Sequence, residues 1–282
     1  MRALLSTSLH AILHNIPHPM KIRLIICLIG LLFPSLAICA EPFTVFDSLI
    51  YTGKPDLSST GLQRITVVYS KKEMFEGDKF DEAGWTAAVT PHASATSPVV
   101  LDIEEWKVSG IPKSQAGANI ARYLRALELA RTAAPNAKIG YYGLIPERNY
   151  WAPVKKDRNA LRDWSETNRS LRPIAEKVDF LFPSLYTFYD DPAGWETYAR
   201  EMLQEARKFK KPVYAFLWPE FHESNKELAG HPIPARFWAM QLDLCRRYAD
   251  GIVIWGGFQK PWDENAPWWI ETKKFMLKLR KR

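Results

Sequence analysis

Short runs of β-branched and aromatic residues alternate with amphipathic stretches from residue 43 onward, and this alternation constrains the fold more than any other feature. Three stretches carry apolar residues at helical spacing, at 116–130, 195–209 and 235–248. The alternation is typical of βα units around a parallel sheet. The candidate strands lie at 43–46, 65–69, 99–103, 138–142, 178–186, 212–217 and 251–255.

A closed sheet is favoured over an open one. An open, doubly wound sheet usually carries a glycine-rich phosphate turn after its first strand, and the residues from Asp47 to Leu49 offer none. We therefore expect an α/β fold of the TIM-like (β/α) barrel type, distorted, with about seven regular βα units. Residues 41–282 are expected to form a single barrel domain, and the aperiodic connection at 71–98 is expected to be a functional loop beside its cleft.

The first 40 residues differ in character from the rest. Lys21 and Arg23 precede an uncharged, apolar run at 24–33, which is the pattern of a secretory signal peptide. The run is shorter than the roughly 20 residues that span a membrane. We expect cleavage near Ala40 and a secreted or periplasmic protein.

Two alternatives remain for this leader. Met20 is a possible start, and Cys39 resembles the acylated cysteine of a lipoprotein cleavage site. Contact with a membrane is expected only if the leader is retained or lipidated. Because Cys27 and Cys39 lie in the leader, the mature chain holds only Cys245, which is expected to be a buried structural thiol.

The charge does not indicate nucleic acid as a partner. The formal net charge is +7, and the leader contributes three of the cations and no acid, which leaves +4. No nucleic-acid-binding motif accompanies this modest excess. We expect a monomer that does not bind nucleic acid.

Acidic residues end the third candidate strand. In parallel barrels the carboxyl ends of the strands face the active site, and alternation places Asp102 and Glu104 on one face and Glu105 on the other. Residues two apart on a strand are separated by about 6.6 Å. Neighbouring carboxyl groups cannot both ionise freely, so one keeps its proton and can act as a general acid. The alternative is that these acids only cap the strand or pair with Lys107.

Four short motifs resemble, in the same order, motifs of the hyaluronidase family, glycoside hydrolase family 56. Asp-Ile-Glu-Glu-Trp-Lys at 102–107 is similar to the family's Asp-Trp-Glu-Glu-Trp-Arg, and Gly-Tyr-Tyr-Gly at 140–143 to Gly-Phe-Tyr-Gly. Phe-Pro-Ser-Leu-Tyr at 182–186 is similar to Tyr-Pro-Ser-Ile-Tyr, and Gly-Ile-Val-Ile-Trp at 251–255 to Gly-Val-Val-Leu-Trp. The resemblance covers roughly residues 98 to 258 and implies a distorted barrel with fewer than eight regular units.

The resemblance also implies roles for individual residues. Glu104 matches the proton donor, which then acts as the base toward water, and Asp102 matches the acid that orients the 2-acetamido group of the substrate. Tyr186 matches the tyrosine that hydrogen-bonds this acetamide, Tyr142 a tyrosine of the cleft, and Trp255 the tryptophan wall beside the acetamido methyl group.

Trp218 is predicted to contact substrate independently of the resemblance, because it closes a candidate strand and a flat apolar ring suits the face of a sugar. Ile103 and Lys107 depart from the family pattern, and the family's disulfides have no counterpart. The histidines show no metal-ligand spacing and no nucleophile motif is present, so we expect no metal and no cofactor.

The leading hypothesis is a hyaluronidase-like retaining endo-β-N-acetylhexosaminidase that uses the substrate's own acetamide as nucleophile, acting on a polysaccharide or glycosaminoglycan with 2-acetamido sugars. One alternative is a lysozyme-type muramidase acting on peptidoglycan. The other is a non-catalytic carbohydrate-binding barrel, for which the tryptophans would suffice but Glu104 would be superfluous.

Overall fold

Parallel pairing dominates the strands of the computed structural model, which describes residues 42–77 and 79–281. Only the hairpin of β4 and β5 is antiparallel. The strands are β1 (Thr44–Leu49), β2 (Gln63–Arg64), β3 (Thr66–Tyr69), β4 (Phe75–Glu76), β5 (Lys79–Phe80), β6 (Val99–Asp102), β7 (Ile139–Tyr141), β8 (Tyr214–Leu217) and β9 (Gly251–Gly256).

Helices follow most strands, and aspartates cap several of them. The carboxylates of Asp81, Asp157 and Asp191 accept hydrogen bonds from first-turn N–H groups that have no partner within the helix. The helices are α1 (Glu82–Val89), α2 (Lys113–Ala133), α3 (Trp151–Lys155), α4 (Arg158–Ser170), α5 (Arg172–Lys177), α6 (Pro192–Arg207), α7 (Ala235–Tyr248) and α8 (Pro267–Arg280).

The parallel strands form two regular sheets, with the orders β2-β1-β9-β8 and β3-β6-β7. On one side, β2 and β3 belong to one continuous stretch that is interrupted only at Ile65. On the other side, single bridges join Tyr142 to Phe182 and Ser184 to Phe216. The α/β class with parallel strands is confirmed, whereas the regular hydrogen-bonded sheet is not closed.

The segment at 178–186 departs from the sequence-based prediction, because it forms single bridges and not a regular strand. Pro183 lacks an N–H group and cannot donate to a neighbouring strand. Its carbonyl still accepts a hydrogen bond of 2.9 Å from the N–H of Phe216, and the N–H of Leu185 donates to the carbonyl of Phe216 at 2.9 Å. The segment therefore remains attached to β8 without a continuous ladder.

Two side chains of α6 stabilise this irregular segment. The hydroxyl of Tyr198 donates to the carbonyl of Ser184 at 2.7 Å, and the indole N–H of Trp195 donates to the carbonyl of Leu185 at 3.0 Å. Both side chains are fully buried. Buried backbone carbonyls need hydrogen-bond partners. Helix α6 supplies the donors that the missing strand ladder does not provide.

Glycine allows β7 to lie against the same segment. A Cβ atom at Gly140 would come within 2.4 Å of the carbonyl oxygen of Phe180 and 2.7 Å of the ring of Phe182. Any other residue would push the two chain segments apart. This contact explains the first glycine of the Gly-Tyr-Tyr-Gly motif in structural terms.

The connection at 71–98 is more structured than the sequence indicates. It contains the β4–β5 hairpin and helix α1, whose Trp85 is fully buried and donates from its indole N–H to the carbonyl of Ala126 at 3.0 Å. The prediction of an irregular loop is wrong here, because a short helix built mainly of small residues shows little periodicity. Phe80 packs edge-to-face on Trp106 at 4.9 Å, which places the hairpin beside the residues that follow β6.

The predicted signal peptide at 1–40 lies outside the described residues. Within the described part, no helix combines the length and the apolar character that crossing a membrane requires. Cys245 is fully buried on α7, as expected, and burial raises the pKa of its thiol.

We predict that Tyr198→Phe lowers the free energy of unfolding by about 1–3 kcal/mol, because it leaves the buried carbonyl of Ser184 without its partner. Urea unfolding at neutral pH measures the change. Tyr189→Phe is the matched control, since this tyrosine is 38% exposed. Equal stabilities of the two variants would contradict the proposed role of Tyr198.

Candidate active site

The acids at the end of β6 separate as the alternation predicts. Asp102 is the last residue of β6 and Glu104 lies just beyond it, while Ile103 between them is buried in the core. Glu105 is turned elsewhere, and its carboxylate accepts hydrogen bonds of 3.1 Å from the hydroxyl of Ser70 and from the backbone N–H of Glu104. Asp102 and Glu104 therefore share one pocket that Glu105 does not line.

This pocket, which we call the aromatic pocket, has a volume of about 260 Å³. It brings together all six residues that the sequence predicts for the site. They come from the ends of β6, β7, β8 and β9 and from the segment at 178–186, and are Asp102, Glu104, Tyr142, Tyr186, Trp218 and Trp255.

The aromatic rings of the pocket pack on one another. Tyr186 stacks on Trp255 with ring centroids 5.8 Å apart and an angle of 26° between the planes. Trp218 stands edge-on to Trp255 at 5.0 Å, and Tyr142 lies 5.9 Å from Tyr186. The result is a continuous aromatic wall opposite the carboxyl groups.

Gly256 is needed for the position of Trp218. The backbone at Gly256 has a φ of 144°, and a Cβ atom there would come within 2.8 Å of the indole ring of Trp218. The indole nitrogen of Trp218 is buried and has no hydrogen-bond partner among the described residues. Close packing against glycine, and not a hydrogen bond, holds this ring in the pocket.

The two tyrosines keep their protons. Burial raises the pKa of Tyr142 and of Tyr186 far above the ordinary value. The hydroxyl of Tyr142 donates to the hydroxyl of Ser184 at 3.1 Å. Both phenols are therefore neutral groups at physiological pH. The hydrogen of the Tyr142 hydroxyl is directed at Ser184, whereas Tyr186 can donate a hydrogen bond to an oxygen atom in the pocket.

Both carboxyl groups hold protons more tightly than an ordinary side chain. Burial, followed by the charges of Glu104 and Glu105, raises the pKa of Asp102 from 3.8 to about 8. Burial also raises the pKa of Glu104, while Arg148 opposes the rise and Glu105 and Glu223 add to it. The sequence predicts one retained proton, and the more strongly raised pKa belongs to Asp102 because Glu104 is exposed at the mouth of the pocket.

Sequence reasoning misses several other residues of the aromatic pocket. Tyr69, the last residue of β3, accepts a hydrogen bond of 2.9 Å from the indole N–H of Trp255. Arg148, His222 and Glu223 line the pocket from loops. Only Tyr69 carries a recognisable signal, since it ends a candidate strand in the same way as Asp102.

Arg148 is fixed by an aromatic contact. Its guanidinium carbon lies 4.9 Å from the ring centre of Phe188, a distance typical of a cation–π interaction. His222 lies 4.8 Å from the same ring. Burial and the neighbouring Arg148 lower the pKa of His222, which leaves Arg148 as the cation of this pocket at neutral pH.

The described residues contain no group of three or more His, Cys, Asp or Glu side chains arranged to hold a metal ion. The chemistry that the pocket's own residues can supply is proton transfer by two carboxyl groups and hydrogen bonding to a neutral ligand group beside an apolar wall.

Comparison with solved structures identifies similar folds. Two structures of bee venom hyaluronidase, one of them in complex with a hyaluronic acid tetramer, are 14% identical to this chain with a TM-score of 0.60. The alignments cover 85% of this chain and 95% and 96% of the hyaluronidase chains. At this identity the similarity demonstrates a shared fold, not membership of the family.

Other comparisons are weaker. A family 26 β-mannanase from Bacteroides ovatus is 10% identical, with 85% of this chain and 90% of that chain covered and a TM-score of 0.46. No protein-family model matches the chain, and no curated protein matches it.

We predict that Asp102 makes stability depend on pH. The pKa of Asp102 is 3.8 in the absence of structure and about 8 in the folded protein. Between these two values the folded protein carries a proton that the unfolded chain has lost. The stabilisation that the protonated carboxyl group contributes is therefore lost as the pH rises from about 4 to about 8. Asp102→Asn removes the loss, so its free energy of unfolding should rise relative to wild type as the pH increases.

Urea unfolding at several pH values measures this difference. The exposed Asp190, changed to Asn, serves as the control, because this variant also loses a carboxyl group but one that does not line the pocket. A difference between Asp102→Asn and wild type that stays constant with pH would contradict the raised pKa of Asp102.

Proposed function

We propose that this chain is an exported glycoside hydrolase, a hyaluronidase-like retaining endo-β-N-acetylhexosaminidase that acts on polysaccharides with 2-acetamido sugars. The observation that carries the proposal is one pocket in which two carboxyl groups of raised pKa face two neutral tyrosines and a tryptophan wall. Raised carboxyl pKa values in a cleft favour acid–base chemistry over passive binding.

The strands are proposed to form a distorted seven-membered barrel. The order of neighbours supports this, because the segment at 178–186 bridges β7 to β8, and the stretch containing β2 and β3 pairs with β1 at one end and with β6 at the other. Pro183 and the break at Ile65 account for the two places where the regular ladder stops. The similarity to the fold of bee venom hyaluronidase agrees with this arrangement.

In the first step, the acetamide oxygen of the bound sugar attacks the anomeric carbon while the bond from that carbon to the glycosidic oxygen breaks. Glu104 donates its proton to the departing oxygen. Burial raises the pKa of Glu104, which favours the protonated form that the donor role requires.

Asp102 is proposed to stabilise the acetamide as it becomes positively charged. In the free protein, burial and the neighbouring acids keep Asp102 protonated up to about pH 8. A positive charge developing beside it favours the carboxylate, so Asp102 releases its proton to solvent and its carboxylate accepts a hydrogen bond from the acetamide N–H. Tyr186 supplies a neutral donor to the acetamide, Tyr142 lines the cleft beside it, and Trp255 provides the apolar surface for the acetamido methyl group.

In the second step, the carboxylate of Glu104 takes a proton from water, and the water oxygen attacks the anomeric carbon. The bond to the acetamide oxygen breaks, and the acetamide is regenerated. Two displacements at the same carbon retain its configuration. No side chain becomes covalently attached to the sugar.

We expect Glu104→Gln to lower the rate of hydrolysis by at least about 100-fold, because the amide can neither donate nor accept the proton. Oligosaccharide binding should persist, since Gln has the same shape. Glu105→Gln is the control, because Glu105 lies next in the chain but does not line the pocket; its rate should fall less than about tenfold. A Glu104→Gln variant with the parental rate would remove Glu104 from the role of acid and base.

A substrate panel tests the class of sugar polymer. Hyaluronan, chondroitin, chitin oligomers and peptidoglycan are digested in parallel, and the release of reducing ends is measured. We expect hyaluronan or chondroitin to be cleaved. Cleavage of peptidoglycan alone would identify a muramidase and contradict the hyaluronidase-like assignment.

A further inference from the structure

Two aromatic side chains form a second group outside the aromatic pocket, and we call this pair the aromatic platform. Trp151 is the first residue of α3 and follows β7, and Tyr189 follows the segment at 178–186. Their ring centres lie 4.9 Å apart, and neither residue lines the aromatic pocket. Because both lie in connections that follow parallel segments, the platform is at the same end of the strands as the pocket.

The platform is exposed to solvent, although its rings are apolar. Trp151 is 46% exposed and Tyr189 is 38% exposed. Among the exposed large apolar residues that the structure describes, only these two are in ring contact with each other. Single apolar side chains are common on protein surfaces, whereas adjoining ones mark a surface that binds a partner.

The rings of the platform are held in place before any ligand binds. Buried Tyr150 lies edge-on to Trp151, with ring centres 5.1 Å apart, and its ring centre is 4.9 Å from that of Tyr189. The ammonium group of Lys155, one turn further along α3, lies 4.8 Å from the ring centre of Trp151. Side chains that are already restricted lose little conformational entropy when a ligand binds.

The shape of the platform indicates a chain of sugars. The two ring planes are inclined to each other by 47°, so one flat sugar ring cannot stack on both. Successive sugars of a chain, whose planes are turned relative to each other, can stack on one ring each. The exposed Lys155 and Asp190 beside the rings can form hydrogen bonds with sugar hydroxyl groups.

A protein partner fits the platform less well. A stable interface between proteins commonly covers about 800 Å² of each partner, and charged residues are depleted from its core. The platform consists of two side chains, and charged residues lie directly beside it. Its size and surroundings therefore suit a narrow polymer with many hydroxyl groups.

A row of ring contacts connects the platform to the aromatic pocket. The ring centre of Tyr189 lies 6.5 Å from that of Phe188, which lies 4.8 Å from that of His222. The ring of His222 is 6.1 Å from that of Tyr186, and both of these residues line the pocket. One polymer chain can therefore reach from the pocket to the platform.

We propose that the aromatic platform binds a polysaccharide chain by stacking, at sugars remote from the bond that is cleaved. This inference rests on the proposed function, which supplies the ligand as a polymer with one sugar in the aromatic pocket. It assigns Trp151 and Tyr189 to the retention of long chains and gives them no part in proton transfer.

Binding to the inactive Glu104→Gln variant measures the platform apart from hydrolysis. The probes are hyaluronan and chitin oligosaccharides of increasing length, titrated by calorimetry. We expect the affinity to rise by about tenfold once an oligosaccharide is long enough to reach the platform, as is typical for a ligand anchored by aromatic side chains. Shorter oligosaccharides should lack this rise.

Trp151→Ala and Tyr189→Ala, added together to the Glu104→Gln variant, should abolish the rise and leave the binding of short oligosaccharides unchanged. Trp151→Tyr keeps a flat ring and should retain the rise. Tyr248→Ala is the matched control, because Tyr248 is also partly exposed and has a cation near its ring, Arg247 at 5.9 Å. Tyr248 ends α7 before β9, away from the carboxyl ends of the strands, so its variant should retain the rise.

Three results would overturn the inference. They are a rise that persists without both rings, the failure of every oligosaccharide to bind, and a dimer that the two alanine substitutions dissociate. Analytical ultracentrifugation detects the dimer, which would show that a second copy of the chain covers the platform.

Hydrolysis by the wild-type protein is measured in parallel with binding. A rise that depends on the rings, found without hydrolysis, would support the platform and refute the proposed function alone. Hydrolysis without any rise would refute the platform alone.

Discussion

Desolvation at the end of β6 is the constraint on which the site depends. Val99, Val100 and Leu101 have no exposed surface, so the chain reaches Asp102 from a fully buried strand. A carboxylate in such surroundings lacks the water that would stabilise its charge. The carboxyl group of Asp102 therefore keeps its proton to a higher pH than an exposed one. The same effect, weakened by exposure at the mouth of the pocket, acts on Glu104. The raised carboxyl pKa values of this site therefore depend on the packing of β6.

The aromatic wall of the pocket is stabilised in a different way. The segment that carries Tyr186 has no regular ladder, and its carbonyls are satisfied by the side chains of Trp195 and Tyr198 on α6. Hydrogen bonds from side chains of α6 thus replace the hydrogen bonds that a neighbouring strand would form with this segment. This substitution lets the backbone depart from regular strand geometry at Pro183 while Tyr186 keeps a defined position next to Trp255.

Sequence patterns could predict the part of the site that lies on strand ends. Asp102 and Trp255 end apolar runs. The strand pattern and their positions in it were therefore sufficient to predict that both lie at the same end of the parallel strands. Tyr69 also ends an apolar run, but its hydrogen bond with Trp255 could not be predicted, because the two residues lie 186 positions apart in the chain. Arg148 lies on a loop, where no periodicity indicates which way a side chain points. The helix within 71–98 escaped prediction because tertiary packing of Trp85, and not its own pattern, stabilises it.

The mutual packing of the aromatic rings has a consequence for how selective the pocket can be. Tyr142, Tyr186, Trp218 and Trp255 already restrict one another before any ligand arrives. Ordering a free side chain on binding costs about 0.5–1.5 kcal/mol of conformational entropy, and here most of that cost is met during folding. The same restriction means that no ring can turn aside without displacing its neighbour. A ligand of the wrong shape is therefore rejected by the wall as a whole.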